Sequence, residues 1–331
     1  MNIKKIIATG IMALGALASF AAPTVTDVTA KQRYPWNGLV DITCKVTGIS
    51  GTTNGIEFVV ASLNQNSDII HYASNFWVVQ GGTNSTDRIV RVNGNYKLLW
   101  DARADLGQGL YSNIVVRVTM GKACGKVQLW ESGPYWATMN IGATKPAEYG
   151  YYFWWGDIVG YGWNNNKWVA SDGSASNFSF TESNTPTYDK SSDILKSQGW
   201  ITADGILAPT HDAAHVHWGG AWRMPTGQEL DDLNNKCDWT WTTMNGVQGH
   251  LVKGKGTYAS VSIFLPAAGF GGETSFLQSG LICDYWSSVP HEDYDSYASM
   301  ALDVISNRSR SMGGFYRYIG CSIRPVQGLV K

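Results

Sequence analysis

The chain has 331 residues, is 44% hydrophobic and 12% aromatic, and carries only 15% charged residues with a net charge of −1. It is too apolar for a disordered chain, long enough for two domains, and lacks the basic excess of a general nucleic-acid binder. Its 15 Trp and 37 Gly suit loop-rich β structure and exclude a helical bundle.

Residues 1–21 read as a secretory signal peptide. Lys4 and Lys5 precede a short apolar core at 6–18, and Ser19 and Ala21 are the small residues of a cleavage site. The core is too short for an ordinary membrane span. The protein is therefore expected to be secreted or held at the cell surface, with no direct transmembrane anchor. Residues 22–122 are predicted to form an all-β sandwich of immunoglobulin or fibronectin-III type. Val40, Ile42, Cys44 and Val46 alternate with Asp41, Thr43 and Lys45, and Ile114, Val116, Val118 and Met120 with Arg117 and Thr119. Period two puts one set inward and the other in water. Residues 56–60 and 75–79 supply further strands. Cys44 is read as a small buried hydrophobe. No catalytic constellation stands in this part, which reads as a presenting domain.

A Gly- and Lys-rich stretch sets a linker at 123–128, and the composition then changes: 12 of the 15 Trp lie at or beyond Trp130. Residues 129–331 form the second predicted domain. Thr226 and Glu229, following Pro225, make a capping box, and Leu230 and Leu233 give the helix a core-facing stripe that ends near 234–237. A weaker helix is expected at 212–216. The aromatic run 151–157 reads as a core strand.

Chemistry is sparse. His211 and His215 share a helical face, but the residue after His211 is Asp212, so the His-Glu-x-x-His metalloprotease pattern fails. Glu292, Asp293 and Asp295 offer carboxylates with no sign of the fixed spacing that glycoside hydrolysis needs. Five Cys (Cys44, Cys124, Cys237, Cys283 and Cys321) leave at least one thiol unpaired or paired between chains. Cys283 and Cys321 flank the C-terminal region, either as independent residues or as a disulfide. No metal or other cofactor is expected, and no enzymatic activity.

Several phrases of the second domain occur together: YWATMNIGA at 135–143, WRMPTGQEL at 222–230, FLPAAG at 264–269, YWSS at 285–288 and IRPV at 323–326. Their order and spacing resemble the Fibrobacter succinogenes major paralogous domain family. That resemblance implies an α+β C-type-lectin-like fold of the formylglycine-generating-enzyme subgroup. The closely spaced cysteines of those enzymes are not reproduced here. Nor are the Glu-Pro-Asn and Trp-Asn-Asp phrases of calcium-dependent lectins.

The end of the chain resembles the variable proteins of diversity-generating retroelements, whose rewriting of adenines in Asn codons cannot yield Lys, Gln, Trp, Glu or Met. Residues 291–321 contain no Lys, Gln or Trp, while Glu292, Met300 and Met312 would be fixed scaffold positions. This places a candidate variable region at 281–323. Ala298, Met300, Leu302 and Val304 are expected to face the core and Tyr297, Ser299 and Asp303 to face away. The candidate ligand-binding residues are Tyr294, Asp295, Tyr297, Ser299, Asp303, Arg308, Arg310, Phe315, Tyr316 and Tyr318, with Arg317 among them in the chain. Tyr, Ser and Arg make effective contact surfaces at low entropic cost. The expected partner is a protein or glycan ligand on a surface, not a nucleic acid. The alternatives are a divergent enzyme of the formylglycine-generating type and a polysaccharide-binding accessory module.

Overall fold

The computed structural model describes residues 23–34, 37–50, 55–64, 66–107, 115–306 and 309–328. The predicted signal peptide, Ile114 and Arg308 lie outside the described residues. The fold is β-rich, 47% strand and 11% helix. Among the described residues no helix is long and apolar enough to cross a membrane. The chain divides into two compact units: one reaches Ala123 and includes Trp218–Ala221 and Gly328, and the other comprises Cys124–His217 and Trp222–Gln327.

The first unit contains β1 (Thr24–Gln32), β2 (Leu39–Thr47), β3 (Ile56–Leu63), β4 (Ile69–Tyr72), β5 (Phe76–Gln80), β6 (Thr83–Ser85), β7 (Gly94–Asp101), the short helix α1 (Ala102–Leu106) and β8 (Val115–Lys122). They form two antiparallel sheets, β1-β2-β7-β5-β6 and β4-β3-β8. The alternation read in β2 is present: Val40, Ile42, Cys44 and Val46 are buried. They join Phe58 and Val60 of β3, Leu98 and Trp100 of β7, and Val116 and Val118 of β8 in one core shared by both sheets. Each such side chain contributes about 1.5–3 kcal/mol by leaving water. Burial pushes the Cys44 thiol up to about 12, as befits a packing residue.

Of the expected linker at 123–128, only residues 123–125 lack regular structure, and they lie at the boundary of the two units. Lys126–Gln128 is strand β9, paired with β10 (Tyr135–Ala137). Its short alternation of Lys126, Val127 and Gln128 is too brief to read as a strand without its partner.

The second unit continues with the hairpin β11 (Tyr161–Asn164) and β12 (Lys167–Ala170), helices α2 (Ser192–Ser197) and α3 (Ala213–Trp218), β13 (Trp222–Arg223), helix α4 (Gly227–Lys236), β14 (Asp238–Met244), β15 (Val247–Lys253) and β16 (Ser262–Pro266). It ends with β17 (Phe270–Gly272), β18 (Ser275–Leu277), β19 (Ile282–Pro290), β20 (Ala298–Ile305), β21 (Ser309–Tyr316) and β22 (Val326–Gln327). The sheets are β13-β22-β10-β9, β14-β15-β16 and β19-β20-β21, with hairpins β11-β12 and β17-β18.

Helix α4 starts where the sequence places it. The Thr226 hydroxyl accepts from Glu229 N at 3.2 Å and Glu229 accepts from Thr226 N at 2.9 Å. Leu230 and Leu233 enter a core with Cys283 and Tyr285 of β19 and Leu302 and Val304 of β20. The aromatic run at 151–157 is buried through Tyr152, Phe153, Trp154 and Trp155. It is held by isolated bridges at Tyr152 and Phe153 rather than as a regular strand.

The phrases that carried the family resemblance come together around Arg324 and the strand that follows it. Buried Arg324 donates to Asn140 Oδ1 at 2.8 Å, Ala137 O at 3.0 Å and Phe264 O at 2.8 Å. Asn140 donates on to the Tyr285 hydroxyl at 3.3 Å, and Trp222 and Tyr135 both pair with Gln327.

Candidate functional site

The sheet β19-β20-β21 and the segment before β20 hold most of the candidate residues, and the structure sorts them into three groups. The first group is a tyrosine surface. Tyr294, Tyr297 and Tyr316 are 64%, 44% and 52% exposed, unusual values for large aromatic rings. Tyr316 stacks on Tyr318 with ring centres 5.4 Å apart and planes 7° off parallel. Tyr318 and Tyr297 each lie 5.4 Å from Tyr188. Tyr188 is the member that sequence reasoning missed, because it sits far away in an irregular stretch with no periodicity to mark it. The Asp189 carboxylate accepts from the Tyr297 phenol and raises its pKa. Burial, with Glu182 bonded to its hydroxyl, raises that of Tyr188 to about 12. Four rings thus stand in a braced cluster, with Tyr294 beside them on the same segment, against His291 at 5.3 Å.

The second group is scaffold, and here the expectation fails. Ser299 is fully buried and accepts from Arg317 Nε at 3.0 Å. Arg317 is also fully buried; it donates to Thr187 O at 2.8 Å, Lys190 O at 2.9 Å and the Asp295 carbonyl. Its guanidinium covers the Trp155 ring at 4.8 Å, and burial pulls its pKa down to about 10. The Asp295 carboxylate accepts from Ser192 N at 2.9 Å. Phe315 is half-buried, its ring 6.3 Å from that of Trp286.

Asp303 faces inward onto Asp284, its direct cross-strand neighbour. Neither Asp284 oxygen has a protein donor, and Oδ1 of Asp303 has none. Burial first, and then the charge of Asp303, raises the Asp284 pKa to about 8. Burial raises the pKa of Asp303 as well, so the pair favours the protonated form. Leu302 and Val304 face the core as read, whereas Met300 is only half-buried, and β20 is the central strand of its sheet. At Ser299 the second face is covered by Arg317 with Trp155, Thr187 and Lys190 around it, so facing away from α4 does not there mean facing water.

The third group is Arg310 alone. It pairs with Val304 at the far end of the hairpin, six residues along β21 from Tyr316, a separation of about 20 Å. Its Nε donates to Asn234 at 3.0 Å and its guanidinium lies 5.2 Å from the centre of the Trp239 ring.

The other candidates are scattered. His211 stacks on Trp200 at 3.8 Å, whereas His217 meets Ile158 O at 2.9 Å. Among the described residues no group of three His, Cys, Asp or Glu could hold a metal ion. All five cysteines are free thiols, so Cys283 and Cys321 form no disulfide. Burial raises the pKa of both. Comparison of the chain with family models, curated proteins and solved structures finds no match in any of the three.

Proposed function

We propose that this chain is an exported binding protein. In this reading residues 1–21 direct secretion, and an immunoglobulin- or fibronectin-III-like sandwich presents a C-type-lectin-like domain. The C-terminal face of that domain recognises a protein or glycan on a surface. Recognition is by shape and contact on a rigid support, without cofactor or covalent chemistry. The observation that carries the reading is a tyrosine cluster of exposed Tyr294, Tyr297 and Tyr316, with half-buried Tyr318 and Tyr188 packed against the latter two. Large rings left in water are costly unless a partner covers them, and a tyrosine offers contact area and a hydroxyl with little rotamer entropy to lose. Arg317 supports the reading from beneath, because it ties together the backbone segments on which these rings stand.

The sequence pattern at 291–321 supports retroelement diversification of this face. Catalysis is not part of the reading. An oxidising cysteine needs a lowered pKa and access to its substrate, whereas Cys283 and Cys321 are buried with raised pKa values.

The test is to probe arrays of surface proteins and glycans with the intact secreted protein and with the Tyr297→Ala/Tyr316→Ala/Tyr318→Ala variant. Loss of the captured partner with an unchanged melting curve is expected. Undiminished capture by the variant would overturn the reading.

A further inference from the structure

A second recessed site lies at the other end of the β20–β21 hairpin. The cavity, about 420 Å³, is lined by Asn234 and Asn235 at the end of α4, Trp239 and Trp241 of β14, His250 of β15, and Arg310 of β21, with Ser306 and Ser309 at its edge. That volume is within the range of small-ligand pockets. His250 is only 3% exposed; the Ser306 backbone lies beside its ring, and neither ring nitrogen makes a well-formed hydrogen bond. A buried imidazole so weakly paired gains from a ligand that can bond to it. Burial pulls its pKa down to about 4. At neutral pH the ring is therefore uncharged and offers one donor and one acceptor.

The lining specifies the kind of ligand. Trp239 and Trp241 flank His250, with ring centres 5.5 Å and 4.9 Å from it. The Trp239 indole N–H is already used on Leu233 O at 3.1 Å, which fixes that ring against the end of α4. Both indoles are half-buried, and the cavity they help to line is mostly polar with a small apolar part. The remaining lining is amide, hydroxyl, imidazole and guanidinium. That pattern is wrong for a lipid or an aliphatic chain, which would leave the polar groups unpaired. It matches a pyranose, whose C–H face packs on indole while its hydroxyls pair with Asn and Ser side chains. Among the described residues no carboxylate lines the cavity and Arg310 is its one cation. Arg310 spends only Nε on Asn234, so its two terminal nitrogens remain directed to the planar, bidentate pairing that carboxylates favour.

We propose that this cavity binds a carboxylated sugar residue, a hexuronate, gripped by Arg310, packed on Trp241 and anchored on His250. The site is separate from the tyrosine face and does not depend on its having a partner.

The test uses the full secreted chain in calorimetric titrations with a glucuronic-acid-terminated disaccharide and its glucose-terminated counterpart. The acidic sugar should bind about tenfold more tightly, the effect of one charge-assisted bidentate pair. Arg310→Gln should erase the preference while keeping the neutral sugar's affinity. Trp241→Ala should weaken both sugars. His250→Phe, which keeps the ring volume, should weaken both while the melting temperature holds or rises. The Tyr297→Ala/Tyr316→Ala variant should bind the acidic sugar as the wild type does. Equal affinity for the two sugars, or a preference that survives Arg310→Gln, would overturn the proposal. So would equal competition by a simple peptide carboxylate, or loss of sugar binding in the tyrosine variant.

Discussion

Arg317 and Arg324 carry two guanidinium groups into the interior, where they meet carbonyl and amide oxygens rather than carboxylates. A buried cation is tolerable when its donors are all used, and costly to replace once other groups have come to rely on it. Arg324→Met keeps much of the volume but leaves Ala137 O, Phe264 O and Asn140 Oδ1 without their donor. A loss of at least about 3 kcal/mol is expected, at about 1 kcal/mol or more per orphaned acceptor, read as a fall in the denaturant midpoint. Arg324→Lys should rescue little, because one ammonium cannot span three acceptors set around a planar fork. The Asp284–Asp303 pair makes the converse case. The folded protein holds an Asp284 proton up to about pH 8, whereas the unfolded chain releases it near pH 4. The native state therefore binds the extra proton between these values. Its contribution is fully present below about pH 4 and is lost as pH rises toward 8, at about 1.4 kcal/mol per pH unit. Asp284→Asn, whose amide supplies a permanent donor to Asp303, should flatten that slope. Denaturant midpoints at pH 5 and pH 8 should draw together in the variant and remain apart in the wild type.

At the level of elements, what was legible in the sequence was what is local. Thr226 and Glu229 are three residues apart, so the start of α4 could be read directly. The alternation of β2 survives because one face of that strand meets the core and the other meets water. Thr226→Ala should cost about 1 kcal/mol and Thr226→Ser almost nothing, measured as a shift in thermal midpoint. The same alternation misled in β20. In a central strand only partly open to water, a Ser or Asp on the second face can answer to a partner that sequence spacing does not reveal. Ser299 answers to Arg317, 18 residues away, and Asp303 to Asp284 across the ladder. Tyr188 and the Trp239–Trp241–His250 group escaped for the same reason. Their meaning lies in what the fold brings beside them, and neither group has a motif of its own. The β9 strand shows the limit at short length, since three residues carry too little pattern to distinguish an edge strand from a linker.

Across the whole molecule, the second unit separates the residues that hold from the residues that present. Under the diversification reading, sequencing codons 281–331 across a population should find substitutions at Tyr294, Tyr297, Tyr316 and Tyr318. Ser299, Asp303, Arg317 and Arg324 should stay fixed, because each is set against a specific partner, Ser299, Arg317 and Arg324 in full burial and Asp303 half-buried. Substitutions at these four as frequent as at the tyrosines would contradict that division. The most direct test of the central claim is a substitution scan of residues 291–318 in the surface-displayed protein, scored separately for folded display and for partner binding. The account predicts that changes at Tyr294, Tyr297, Tyr316 and Tyr318 abolish binding while display is retained, and that changes at Ser299 and Arg317 abolish display itself. Binding that survives loss of the tyrosines, or that falls only in step with display, would contradict it.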